Sequence, residues 1–264
     1  MTEVPVTPTK TIRKYGWRPD RPSIHDQVLA PAPYSLLSAL PPLVNLESHM
    51  PPVYDQGNLN SCTSHAIAAA IEYNRKKLSL PDFIPSRLFI YYNERNLEGE
   101  VGMDNGAAIR DGIKTVLAQG ACHESLWPYN ESKVFTLPSA NAYTDAKKYL
   151  VTGAARVTQT IDQMRSVLAG GQPIILGFTV YDSFESDEVA RTGIVKLPKI
   201  TEQSQGGHAV LVVGYDHNKQ TWRVRNSWGP AWGQKGYFEV PYLYFASSHL
   251  AADLWMIEGI NHSS

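Results

Sequence analysis

From residue 62 to 77 the chain reads CTSHAIAAAIEYNRKK. Ala66, Ile67, Ala70 and Ile71 fall at i, i+1, i+4 and i+5, and alanine has high helix propensity, so the pattern predicts a helix with an apolar stripe. Ser61 stands where an N-cap is expected. Helical periodicity also predicts segments over 86–96 and 107–119, the second ended by Gly120. After about residue 150 the pattern changes. PIILGFTVY (173–181), HAVLVVGY (208–215), TWRVRNSW (221–228) and GYFEV (236–240) are rich in β-branched and aromatic residues, and most are bounded by turn formers. These read as strands, preceded by one short helix at 161–169. A helical half followed by a β-rich half predicts an α+β chain in two lobes, with the cleft between them as the natural place for a site.

Ahead of both halves the pattern is set by proline. Ten of the 18 prolines lie in the first 52 residues. Proline fixes φ and removes an amide donor, so this stretch is expected to be extended, with little helix. It still carries Tyr15, Trp17, Tyr34, Leu36 and Leu37, which are anchors for docking on the body. The expected division is a proline-rich arm over 1–40, a helical lobe over 41–150 and a β-rich lobe over 151–264.

With 43% hydrophobic residues the chain can bury a core, and 24 Lys+Arg against 25 Asp+Glu leave no basic excess for nucleic acid or an anionic membrane surface. No apolar run approaches the roughly 20 residues of a bilayer span. The first residues lack the apolar core of a Sec-type signal, which leaves the cytoplasm or a non-Sec route in a bacterium. Two cysteines, Cys62 and Cys122, allow one disulfide at most.

Cys62 sits where a loop turns into a helix. Backbone N–H groups and the helix dipole favour an anion there, so the thiol is a candidate nucleophile with a lowered pKa; the competing role is a small buried hydrophobe. His208 follows Gly206 and Gly207 into an apolar strand and can serve as a base, or be a core histidine. Asn226, in RNSWG, can fix an imidazole's orientation, or belong to a polar turn. His65, one helical turn after Cys62, is a rival base facing away from the helix start. Asp182, Glu185, Asp187 and Glu188 read as a solvated acidic loop.

Order and spacing join these segments: Gln56, Cys62 six residues on, His208 a further 146, and Asn226 18 after that. DQGNLNSCTSHA, GGHAVLVVGY and VRNSWGPAWGQKGYF, with DNGAA and SLWPYN between them, resemble the papain family of cysteine peptidases over about residues 44–255. The resemblance implies a two-lobe fold and hydrolysis of peptide bonds through a thioester on Cys62. His208 would be the acid/base partner, Asn226 would orient it, and Gln56 with the Cys62 amide would bind the oxyanion. Gly106 would pair with an extended substrate, Trp228 would cover the His–Asn bond, and Ala108, Gly177 and Gly207 would wall the specificity pocket. It implies a monomer acting on peptide or protein substrates, without metal, cofactor, nucleic acid or membrane. An amidase or transpeptidase on the same scaffold, or a catalytically silent binding protein, is the alternative.

The sequence departs from the family at three points. Leu59 replaces the usual second cysteine, Thr63 replaces an aromatic residue, and Cys122 has no partner. In place of a long helical propeptide stand about 40 residues, within which GWRPDRPSIHD (16–26) resembles the leader of bacterial short-leader members. The arm is expected to lie over the cleft and limit access.

Overall fold

The computed structural model describes residues 15–33, 37 and 39–261. The alanine-rich segment forms α1 (Cys62–Lys77), with the bounds its pattern predicts. Its burial goes beyond one stripe, because every residue from Cys62 to Arg75 is buried. Methyl-sized side chains at Ala66, Ala68, Ala69 and Ala70 let the helix lie close to a sheet on one side and to other helices on the other. Ser61 occupies the N-cap position without making the cap. Its hydroxyl pairs instead with the Tyr129 hydroxyl at 2.6 Å. α2 (Arg87–Glu98) is capped by Ser86 Oγ, which accepts from Phe89 N, and ends at the left-handed Gly99. α3 (Ile109–Ala118) and α4 (Ala140–Ala146) follow. Leu59 joins Leu88, Tyr91, Trp127 and Ala142 in the core of this lobe.

The strands are β1 (Leu43–Asn45), β2 (Val151–Arg156), β3 (Ile174–Tyr181), β4 (Ser204–Asp216), β5 (Thr221–Arg225), β6 (Tyr237–Pro241) and β7 (Ala251–Ile260). They form a 7-stranded sheet of order β2-β7-β3-β4-β5-β6, with β1 also on β4. Every pairing is antiparallel. β1 takes the end of the β4 edge that β3 leaves, which draws residues 43–45 out of the helical half. Side-chain alternation splits the sheet's contacts. Ile175, Ala209, Leu211 and Ile257 pack on α1. Leu176, Val210, Val212 and Phe238 pack on α5 (Ile161–Ala169) and on α7 (Tyr242–Ala246), which follows the short α6 (Asp187–Thr192).

Two strands differ from expectation at the site. β4 begins at Ser204, so His208 lies inside the strand rather than opening it. β5 ends at Arg225, because the chain turns at Asn226 and Gly229 takes φ 74°. Residues 15–33 of the arm are free of helix, turn at 24–26 and run over the body. Trp17 bridges Ala107, Val28 bridges Arg156, and Leu29 packs on the sheet's outer core. The expected anchors Tyr34 and Leu36 lie outside the described residues. Among the described residues no helix is long and apolar enough to cross a membrane.

Candidate active site

α1 delivers Cys62 at its first turn, and β4 delivers His208. The Ala209 N–H donates to Cys62 Sγ at 3.3 Å, which sets the helix start against the β4 residue next to His208. The turn after β5 delivers Asn226, whose Oδ1 accepts from His208 Nε2 at 2.8 Å and from the Ser227 N–H at 2.8 Å. The first bond puts the imidazole proton on Nε2 and fixes the tautomer. Trp228 stacks on the His208 ring at 4.8 Å and 26°, screening that bond from water. Trp232 and Phe184 meet Trp228 edge-on at 5.1 and 5.6 Å and hold it there.

The Gln56 loop is tied to the Asn226 turn by backbone bonds. Gln56 N donates to Ser227 O at 2.9 Å, Gly229 N donates to Tyr54 O at 3.0 Å, and Asp55 bridges Trp228. The Gln56 side chain is fixed at both ends. Its Nε2 donates to Leu59 O at 2.8 Å and its Oε1 accepts from Ser227 Oγ at 2.7 Å. Tyr129 donates to Gln56 O at 2.8 Å. Leu59, where a disulfide is usual, anchors this loop by packing. Thr63 donates to the buried Glu94 at 2.7 Å. Burial pushes the Glu94 carboxyl well above the carboxylate range, despite the Thr63 hydrogen bond.

The arm occupies the cleft. Gly16 is wedged so tightly that a Cβ there would lie 1.7 Å from Asn60 O. A Cβ on Gly106 would lie 1.9 Å from Gly16 O. The extended chain pairs with Ala107 rather than with Gly106: Ala107 N donates to Gly16 O at 2.8 Å and Arg18 N donates to Ala107 O at 3.0 Å. Trp17 N donates to Gly207 O at 2.8 Å, and the indole covers Gly177 and Gly207. Ala108 lines a recess with Arg18, Glu98 and Arg110. The Tyr15 ring stands edge-on to His208 and to Trp228, 6.0 Å from each, and its hydroxyl donates to Glu185. The acidic loop is therefore partly a dock for the arm.

This cover leaves Cys62 and His208 both 0% exposed. Burial pushes the Cys62 thiol up to about 11, outweighing the N–H groups of Ala209, Gly16 and Thr63 that favour the thiolate. The sequence reading expects a lowered pKa at a helix start. In the covered state desolvation exceeds the dipole, so the sulfur is a neutral thiol near pH 7. His65 is buried, with Nδ1 on Ser61 O at 2.8 Å, and burial drops its pKa to about 3, so it stays neutral inside α1. Glu185, read from sequence as part of a solvated loop, holds the arm through Tyr15. Ser227, Tyr129 and Asp253 also belong to this region and have no individual signal in the sequence reading. Ser227 and Tyr129 lie inside quoted motifs, and Asp253 carries no local signal.

The family described as "Papain family cysteine protease" matches residues 44–244. Xylellain, a cysteine protease from Xylella fastidiosa, superposes with a TM-score of 0.89 at 42% identity, over 97% of this chain and 100% of that one. An uncharacterized peptidase C1-like protein of Acanthamoeba polyphaga mimivirus is 45% identical over 215 residues, 78% of this chain and 69% of that protein. A cathepsin B-like protein of Giardia intestinalis is 28% identical over 199 residues, 72% of this chain and 64% of its own length.

Proposed function

The chain belongs to the papain family of cysteine proteases, and on that premise we propose that it cleaves peptide bonds through a thioester on Cys62 and that its own arm limits access to the site. The observation that carries this reading is the union of four groups in one buried cluster: the Cys62 thiol, the His208–Asn226 pair, and Gln56 held at both ends. With the cleft open, the sulfur regains water and passes its proton to His208. The thiolate attacks the substrate carbonyl carbon, and negative charge collects on the oxygen, which the Gln56 Nε2–H and the Cys62 N–H stabilise. The C–N bond breaks as His208 returns the proton to the leaving amine. Water, deprotonated by His208, then releases the acid and restores the thiol.

Gly16 supports the inhibitory reading of the arm. It offers the thiol an N–H, while its carbonyl is engaged by Ala107. Sulfur thus meets a hydrogen-bond donor in place of an acyl carbon. A bacterial source is proposed from the similarity to the Xylella protein, with the viral relative as the competing lineage. A monomer is proposed, and the lack of a basic excess supports a protein that takes no nucleic acid or anionic membrane as partner.

The test is acid-quenched mass spectrometry of the full chain carrying Gly16→Ala, mixed with a peptide ester. An acyl adduct on Cys62 that decays to peptide acid, and is lost in His208→Ala, supports the reading. An adduct that transfers mainly to an added amine makes the protein a transpeptidase. No adduct makes it a silent member.

A further inference from the structure

Where Trp17 sits, the cleft has a pocket with no side chain on two of its walls. A Cβ on Gly177 would come within 2.0 Å of the indole, and one on Gly207 within 2.7 Å. The flat, wide indole takes up the space these glycines leave. Beyond the ring stands a carboxylate: Trp17 Nε1 donates to Asp253 Oδ2 at 3.1 Å, and Asp253 is 7% exposed. Asp253 lies within β7 with φ 58°, at a break in register with β3 between Ile175↔Trp255 and Gly177↔Ala252. Asp is one of the few residues that tolerate left-handed backbone, and a buried strand residue held there is the kind of strain found at binding sites.

The partners of Asp253 divide between arm and body. From the arm come the Trp17 indole and the Asp20 N–H at 2.7 Å. From the body comes Arg156, at 3.3 Å, lying over the Trp255 ring. Arg156 also pairs with Asp20 at 2.7 Å and with Asp26 at 2.6 Å, both on the arm. When the arm leaves, Arg156 keeps Asp253 alone, while the Asp253 oxygen that held the indole loses its donors.

Resting on the peptidase reading above, we infer that Asp253 makes this pocket select a peptide side chain that is a wide aromatic ring carrying a neutral N–H donor, an indole above all. An all-carbon ring fills the space but leaves a buried carboxylate oxygen unpaired. A basic side chain brings a second cation beside Arg156, and an acidic one faces Asp253. An indole meets both requirements without adding charge.

The experiment uses the full chain with Gly16→Ala, which cannot seat its arm, and epoxysuccinyl peptides that differ only in the side chain next to the warhead: Trp, 2-naphthylalanine or Arg. The readout is the rate of adduct formation on Cys62 by intact mass, with iodoacetamide as a control for the thiol itself. The Trp probe is expected to react about ten- to a hundredfold faster than naphthylalanine, the range of a hydrogen bond to a charged group, and Arg to lag behind both. In Asp253→Asn, which keeps a residue tolerant of left-handed backbone, the Trp preference is expected to shrink to a few-fold with the iodoacetamide rate unchanged. Equal rates for Trp and naphthylalanine, or a faster Arg probe, would overturn the pocket assignment and leave the peptidase reading standing. Reaction with iodoacetamide and with none of the peptides would overturn both.

Discussion

Gln56 shows how far one residue could be read from the sequence. Its distance from Cys62 is local, so the motif carries it. What positions it is not local: Ser227 Oγ, 171 residues away, holds Oε1, and Leu59 O holds Nε2. If Gln56 serves the oxyanion, Gln56→Ala lowers kcat by about 10²–10³ with little change in KM, because the lost donor acts on charge that develops in the transition state. Steady-state kinetics with a fluorogenic peptide in the Gly16→Ala chain measures this. Ser227→Ala leaves the amide in place but tied only through Leu59 O, and a smaller loss, about tenfold in kcat, is expected. Asp253 was illegible for the same reason in stronger form, since a lone carboxylate carries no motif and its meaning comes from the Trp17 indole that reaches it; Glu185 was legible as part of an acidic loop, but its bond to Tyr15 was not.

At the scale of elements, α1 and α5 fall where their periodicity put them, because 3.6-residue patterns survive burial. The surroundings of α1 did not follow from its pattern. Its alanines read as a stripe, yet the sheet and two helices close around it, and only the tertiary contacts decide that. β2 (VTGAAR) and β7 (AADLWMIEGI) were missed because alanine and glycine dilute the β signal, and their strand state comes from pairing with each other and with β3. β1 is three residues long and owes its conformation to the open edge of β4. Leu59 ties element to site, being 6% exposed among Leu88, Tyr91 and Trp127. Leu59→Ala is expected to cost about 2–4 kcal/mol, read as a lowered urea midpoint at constant slope, and to lower kcat as the Gln56 loop loosens. An unchanged midpoint would mean that the loop is held by its hydrogen bonds alone.

Over the whole molecule the arm is the organising feature, and its charges give its docking a pH dependence. Burial and the neighbouring Asp253 charge raise the Asp20 carboxyl to about 6, so the docked arm holds a proton that the free arm would release. That contribution is fully present below about pH 4 and is lost as pH rises through about 6. Asp26 has the opposite sign. Burial would raise it, but the hydrogen bonds from Arg110 and Arg156 prevail and lower it, so its contribution is present above the ordinary carboxylate range and fades below it. Docking is therefore tightest between about pH 4 and 6 and looser toward pH 8. Hydrogen exchange of residues 15–30, corrected for intrinsic rates, should show more protection at about pH 5 than at about pH 8, and Asp20→Asn should flatten the difference. Proline and the aromatic anchors made the arm's extended, docked character legible. The seating of Gly16 against Asn60 and Gly106 was not, because close backbone approach leaves only a glycine in the sequence. The most direct test of the account is the rate at which an epoxysuccinyl peptide labels Cys62 in the unaltered full chain and in Gly16→Ala, each with and without His208→Ala. The account predicts slow labelling of the unaltered chain, labelling faster by at least about tenfold once Gly16 can no longer fit, and none without His208. Equal labelling of the first two chains, or labelling that survives the loss of His208, would contradict it.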